Sequence, residues 1–141
     1  MSILLTDFEI AYKRTKKFEG GYVYDPMDSG GETYNGISRR ANPNWPGWKI
    51  IDEQKKKPNF PNNLKERSAE LDELEKDLYK KNYWDPVWGD RIKDQRVAND
   101  MFDTAVNMGV ATSIRLSERQ FKMKETGKMS EELLQKLNSV I

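Results

Sequence analysis

A mainly α-helical single domain carrying one small β-hairpin is the fold that this 141-residue sequence predicts. Apolar or neutral residues recur at helical spacing in three stretches: Phe8, Tyr12 and Thr15; Leu64, Leu71, Leu74 and Leu78; and Val97, Met101, Ala105 and Met108. Between the first two stretches lie the first five glycines of the chain, at positions 20, 21, 30, 31 and 36, where no helix can continue. A chain of this length buries about 68 to 70% of its unfolded surface, enough for one core and no second independent domain.

Thr6-Asp7-Phe8-Glu9 is a capping box, so the first helix is expected from about Asp7 to about Phe18. Tyr22-Val23-Tyr24 extends before Asp25-Pro26 turns the chain, and the glycine-rich run to Gly36 closes a short, bent hairpin. Prolines 43, 46, 58 and 61 make residues 40 to 63 an ordered surface segment with at most a turn or two of helix over Lys49 to Lys57. From about Leu64 to about Asn82 the leucines form a core stripe and the Glu and Lys residues a solvated face. This helix ends in Asn82-Tyr83-Trp84-Asp85-Pro86-Val87-Trp88-Gly89-Asp90, an aromatic corner in which Trp88 is expected to be buried. Asp94 to Met108 forms the next helix, with Val97, Met101, Ala105 and Met108 inside and Gly109 as its cap. Thr112 to Phe121 forms a shorter one. Ser130 caps the last, Met129 and Leu134 staple its start, and Leu137, Val140 and Ile141 pack inward.

Composition narrows the chemistry. With 24 basic against 23 acidic side chains, total charge offers no case for nucleic acid binding. The chain has no cysteine and no histidine, which removes disulfides, thiol nucleophiles, Ser-His-Asp triads and the usual zinc sites. Acid-base work falls to carboxylates. Asp25, Asp28, Gly30 and Glu32 form an oxygen-rich run, but an EF-hand would place ligands at Met27 and Gly36, so no metal and no cofactor is expected. No apolar run approaches the roughly 18 residues of a membrane span. Met1 to Thr6 is too short, and too soon followed by Asp7 and Glu9, for a secretory leader, so synthesis in the cytoplasm is expected.

Glu19 is the pivotal carboxylate. It falls next on the Phe8, Tyr12, Thr15 stripe, and two glycines follow it at once. Either it is a solvated last-turn residue or it is a general acid. A helix C-terminus prefers cations, which Lys16 and Lys17 already supply, and partial burial would raise its pKa towards the range of a proton donor.

Several motifs now carry a resemblance. Glu19-Gly20-Gly21-Tyr22, Asp25-Pro26, Asp28, Gly30-Gly31-Glu32-Thr33 and Gly36-Ile37-Ser38 are similar to the opening of the glycoside hydrolase family 108 muramidases, a lysozyme-like group also labelled secretion activator proteins. Tyr83-Trp84-Asp85-Pro86 and Phe102-Asp103-Thr104-Ala105-Val106-Asn107-Met108-Gly109 match two further motifs of that group. The tail from Gln120 to Asn138 resembles its C-terminal peptidoglycan-binding segment, with Thr126-Gly127-Lys128-Met129-Ser130 where the family usually has Asp-Gly-x-x-Gly-Pro.

The resemblance implies a lysozyme-like α+β fold, with residues 1–110 as catalytic region and 111–141 as a helical segment packed on the same domain. It implies cleavage of the β-1,4 bond between N-acetylmuramic acid and N-acetylglucosamine, with Glu19 as acid. Asp28 and Thr33, nine and fourteen residues beyond Glu19, resemble the water-placing pair of phage-type lysozymes. Thr33 is equally a strand residue with no role, and Glu32 is the rival carboxylate, able instead to pair with an arginine. Tyr22, Glu32, Tyr34, Tyr83, Trp84, Asp103 and Asn107 are the expected substrate contacts. For Asp103 and Asn107, bonding to backbone groups is the alternative, and Trp45 and Trp48 either stack on sugars or cap the core. Peptidoglycan strands are the implied partner of a monomer acting at the wall after release by a holin or exporter. A non-catalytic wall-binding or secretion-associated module is the other reading.

Overall fold

The computed structural model describes residues 7–16, 21–27 and 31–139. Six α-helices and one three-stranded sheet are found among them: α1 (Asp7–Thr15), β1 (Tyr22–Tyr24), β2 (Glu32–Tyr34), β3 (Ile37–Ser38), α2 (Gly47–Lys55), α3 (Ser68–Tyr79), α4 (Gln95–Met108), α5 (Val110–Gln120) and α6 (Glu131–Asn138). The chain divides into two compact units, one made of residues 1–16 and 79–141, the other of residues 17–78.

The first unit is helical. Phe8 and Ala11 of α1, Ala98, Met101, Phe102 and Ala105 of α4, Ile114 of α5, and Leu133, Leu134 and Leu137 of α6 form one core with Trp84, Val87 and Ile92. At its centre Phe8, Trp84 and Phe102 meet edge to face in a triangle with centroids 5.7 to 5.9 Å apart, the arrangement ring quadrupoles favour. Asp94 caps α4 by accepting from the Arg96 N–H, and Gly109 ends it at φ +102°. Ser130 caps α6 through the Leu133 N–H at 3.1 Å. Met108, expected inside, is 60% exposed because it lies in the last turn of α4, beyond the reach of the core stripe.

The second unit is sheet, turns and two helices. β2 pairs antiparallel with both neighbours, with Tyr22 opposite Tyr34, Val23 opposite Thr33 and Tyr24 opposite Glu32, then Thr33 opposite Ser38. The third strand arises from Asn35-Gly36, which at φ +47° and +86° make the two-residue turn that matches the twist of paired strands. Behind the sheet, Tyr34 stacks on Trp45 at 6.1 Å, and Trp45 meets Trp48 edge-on at 5.3 Å. Both tryptophans are buried, their indole N–H groups held by the Leu74 and Asn42 carbonyls, so they cap the core and do not stack on a ligand. α2 is joined to the 3-10 turn Asn62–Arg67 by a reciprocal pair: the Gln54 amide donates to the Asn63 carbonyl and the Asn63 amide to the Gln54 carbonyl, each at 2.9 Å.

The predicted helix over 64–82 is three pieces: the 3-10 turn, α3, and a π-helical turn Lys80–Trp84. Along α3 the most buried positions are Leu71 and, against the expectation of a solvated charge, Glu75 at 3% exposure. The predicted first helix ends three residues early, at Thr15. Thr6 of its capping box, Phe18, Val140 and Ile141 lie outside the described residues.

Candidate functional site

The sheet carries a dense charge network. Glu32 on β2 accepts from the Tyr22 hydroxyl at 2.8 Å and from Arg39 at 3.0 Å, and Lys55 of α2 also donates to it. Arg39 in turn grips Asp52 with two bonds of 2.8 Å. Burial alone would raise the Glu32 pKa, but the hydrogen bonds from Lys55 and Tyr22 and the charge of Lys55 outweigh it and hold the carboxyl below its usual value. The same contact works the other way on its partner, since burial, the bond to Glu32 and the Glu32 charge push the Tyr22 phenol up. Glu32 and Tyr22 are therefore locked together as carboxylate and neutral phenol. Tyr22 also rests its ring edge-on against Phe60, 4.8 Å away. Thr33 is half-buried at the middle of the central strand.

Where β2 turns, Asn35 reaches back to the glycine that opens β1. Its N–H donates to the Gly21 carbonyl at 2.9 Å, and its side-chain oxygen accepts from the Gly21 N–H at 3.0 Å. The amide nitrogen faces the Glu75 carboxylate at 3.5 Å. Tyr34, expected as a substrate contact, is 7% exposed and packed on Trp45. Burial, then the charges of Glu75 and Asp72, push its phenol up.

In the helical unit the end of α1 meets α4 and Tyr79, the last residue of α3. The Thr15 hydroxyl donates to the Asp103 carboxylate at 2.9 Å. Lys16 donates to the Tyr79 hydroxyl at 3.2 Å while its ammonium lies 4.7 Å from that ring. Tyr12, Tyr79 and Tyr83 follow one another at 5.7 and 5.5 Å. Asn107 is exposed, and its amide donates to the Asp103 backbone carbonyl at 2.9 Å, a local bond within α4. Tyr83 is half-buried at the edge of the core.

Trp84 requires correction. Expected on the floor of a sugar site, it is fully buried in the Phe8 and Phe102 triangle, with its indole N–H on Asp90 at 2.9 Å. The π-helical turn admits an extra residue per turn and so swings Trp84 inward. Trp88 takes the opposite correction: it is half-buried, at φ +57°, under the Arg91 guanidinium 4.8 Å away. Glu19 and Asp28 lie outside the described residues. The structure thus brings Tyr22, Glu32 and Thr33 onto one small sheet, and Asp103 and Asn107 onto one helix.

Sequence reasoning allowed Glu32 an arginine partner but did not single out Arg39, nor Lys55 beside it or Asp52 on Arg39, and it missed Glu75 as a buried carboxylate. The signal for Glu75 was present: it stands four residues after Leu71 and three before Leu78, on the leucine stripe itself. Among the described residues no group of three or more acidic, histidine or cysteine side chains is placed to hold a metal ion. Nor is any described helix long and apolar enough to cross a membrane.

Comparison with curated proteins gives no match. Among solved structures, Brucella abortus SagA is similar at 25% identity and a TM-score of 0.62, over 95% of this chain and 70% of the other. The shared fold is mainly α and lysozyme-like, with the small sheet of three strands. A family model described as Glycosyl hydrolase 108 matches residues 12–109, which takes in Glu19, the whole sheet, the Tyr83-Trp84 corner and α4, and stops short of the tail. The chain belongs to the glycosyl hydrolase 108 family.

Proposed function

We propose that the protein is an N-acetylmuramidase that cuts the β-1,4 bond between N-acetylmuramic acid and N-acetylglucosamine in peptidoglycan. The observation that carries this reading is the family match across residues 12–109. Glu19 is the acid: it protonates the glycosidic oxygen as the sugar approaches an oxocarbenium-like transition state, and water completes the cleavage at the anomeric carbon. Asp28 orients that water, and Thr33, on the central strand, assists it. The three donors gathered on Glu32 favour this choice, because a carboxylate so engaged has little capacity left for a water. Tyr22, Tyr83, Asp103 and Asn107 serve the glycan. The enzyme acts as a monomer at the wall, reached through a holin or an exporter.

Glu19→Gln tests the assignment. The wild type is expected to release reducing ends from a peptidoglycan suspension, and the variant to lose at least about a thousandfold in rate, the scale of removing a general acid together with its placement. Equal clearing by both would overturn the acid. Inactivity of both on every wall type, with retained sedimentation on walls, would establish a binding module instead. An anhydro sugar in the mass spectrum of the products would replace hydrolysis by transglycosylation.

A further inference from the structure

Asn35 stands in a two-residue turn between β2 and β3, a place where Asn, Asp and Gly are all accepted. The turn alone therefore does not explain its side chain. In an antiparallel ladder Gly21 would exchange both backbone bonds with the residue opposite. Here Asn35 supplies only the N–H, at 2.9 Å, because the turn at φ +47° carries its carbonyl away, and the side-chain oxygen closes the second bond at 3.0 Å. Gly21 is thereby held from both sides at φ +71°.

An amide has two ends of similar shape, and only the oxygen can accept from the Gly21 N–H. Glu75 decides which end points where. It is 3% exposed on α3, and its Oε2 lies 3.5 Å from the Asn35 amide nitrogen. That oxygen accepts from the NH2 end, which leaves the amide oxygen turned toward Gly21. Both residues belong to the same compact unit as Gly21.

We infer that Asn35, oriented by the buried Glu75, is a positioning residue that fixes the backbone at Gly21, two residues after the proposed acid in the sequence. The inference rests on Glu19 being the acid. Neither residue touches the substrate; they hold the backbone next to the proposed acid in sequence, an effect expected in kcat more than in binding.

The test uses the full chain with soluble peptidoglycan fragments, reading kcat and KM, together with hydrogen exchange at the Gly21 amide. Asn35→Gly and Asn35→Asp both keep the turn. Asn35→Gly deletes the clamp, and Asn35→Asp sets two carboxylates against each other. Each is expected to lower kcat by about tenfold or more with KM within about twofold, and to speed Gly21 exchange. Combining Asn35→Asp with Glu75→Gln restores a donor facing an acceptor with the polarity reversed, and should bring kcat and Gly21 exchange back to within about threefold of wild type. A merely structural role would not give that rescue. If the wild type is active and Asn35→Gly keeps its kcat within about twofold, or if the double variant is no better than Asn35→Asp alone, the inference is wrong. If the wild type cleaves no wall at all, the function above falls, and Gly21 exchange then judges the clamp by itself: exchange unchanged in Asn35→Gly overturns it.

Discussion

The two compact units are stabilised in different ways. Residues 1–16 and 79–141 share one apolar core centred on three aromatic rings, and their helices carry caps at Asp94, Gly109 and Ser130. Residues 17–78 have a smaller core around Tyr34, Trp45, Trp48, Ile51 and Leu71, and rely on polar side chains bonded to distant backbone: Asn35 to Gly21, Gln54 to Asn63, Trp45 to Leu74. Burial of area is tolerant of small shifts, whereas a hydrogen bond fixes both distance and direction. The unit that carries the proposed acid is thus the one whose backbone is set by direction.

The contrast can be broken most forcefully at its apolar end. Trp84→Ala should destabilise the helical unit by about 3 to 5 kcal/mol, read by urea denaturation, through lost contacts with Phe8 and Phe102 and the cavity left behind. A loss below about 1 kcal/mol would mean that the aromatic triangle is not its centre. Next comes Glu118, a buried polar staple of the helical unit. Only 2% exposed, it accepts from the Thr126 and Gly127 N–H groups at 2.8 and 2.9 Å and from the Thr126 hydroxyl at 2.8 Å. Glu118→Ala should cost about 2 to 3 kcal/mol, since buried donors are left without an acceptor. Survival of the midpoint would show that water replaces the carboxylate at no cost.

A smaller effect is expected at Glu32, where the contrast is sharpened by pH. Its folded pKa is depressed, so its contribution to stability is complete above the ordinary value of 4.5 and is lost as pH falls below that through the folded pKa. Glu32→Gln should lower stability near neutrality by about 1 kcal/mol and flatten the acid limb of the denaturation midpoint against pH. An unchanged limb would remove Glu32 from the account. Smallest of all, Arg119→Ala breaks an exposed pair with Glu125 at 2.9 Å and should leave the midpoint within measurement error.

Legibility in the sequence follows the same division. Periodicity located α4 and its inward residues Val97, Met101 and Ala105, and cap chemistry placed Gly109 and Ser130 to the residue. Those signals are local. What could not be read is where a polar side chain finds a partner far along the chain, as Glu32 does in Arg39 and Lys55 and as Asn35 does in Gly21. Asn35-Gly36 was an available hairpin signal for the third strand, and Glu75 a charge standing on an apolar stripe. Trp84 was misassigned for a different reason: aromatic residues at a helix end suit a sugar platform and a core equally, and only the π-helical turn decides between them.

In each unit a glycine lies flat against an indole. A methyl group at Gly47 would come within 2.3 Å of Trp45, and one at Gly89 within 2.2 Å of Trp84. Both rings are buried and belong to separate units, and with Trp48 and Trp88 each unit carries two tryptophans as built-in optical probes. Red-shift of their emission at one denaturant concentration means that the two halves melt as a single cooperative body; at two, that one half can loosen while the other stands.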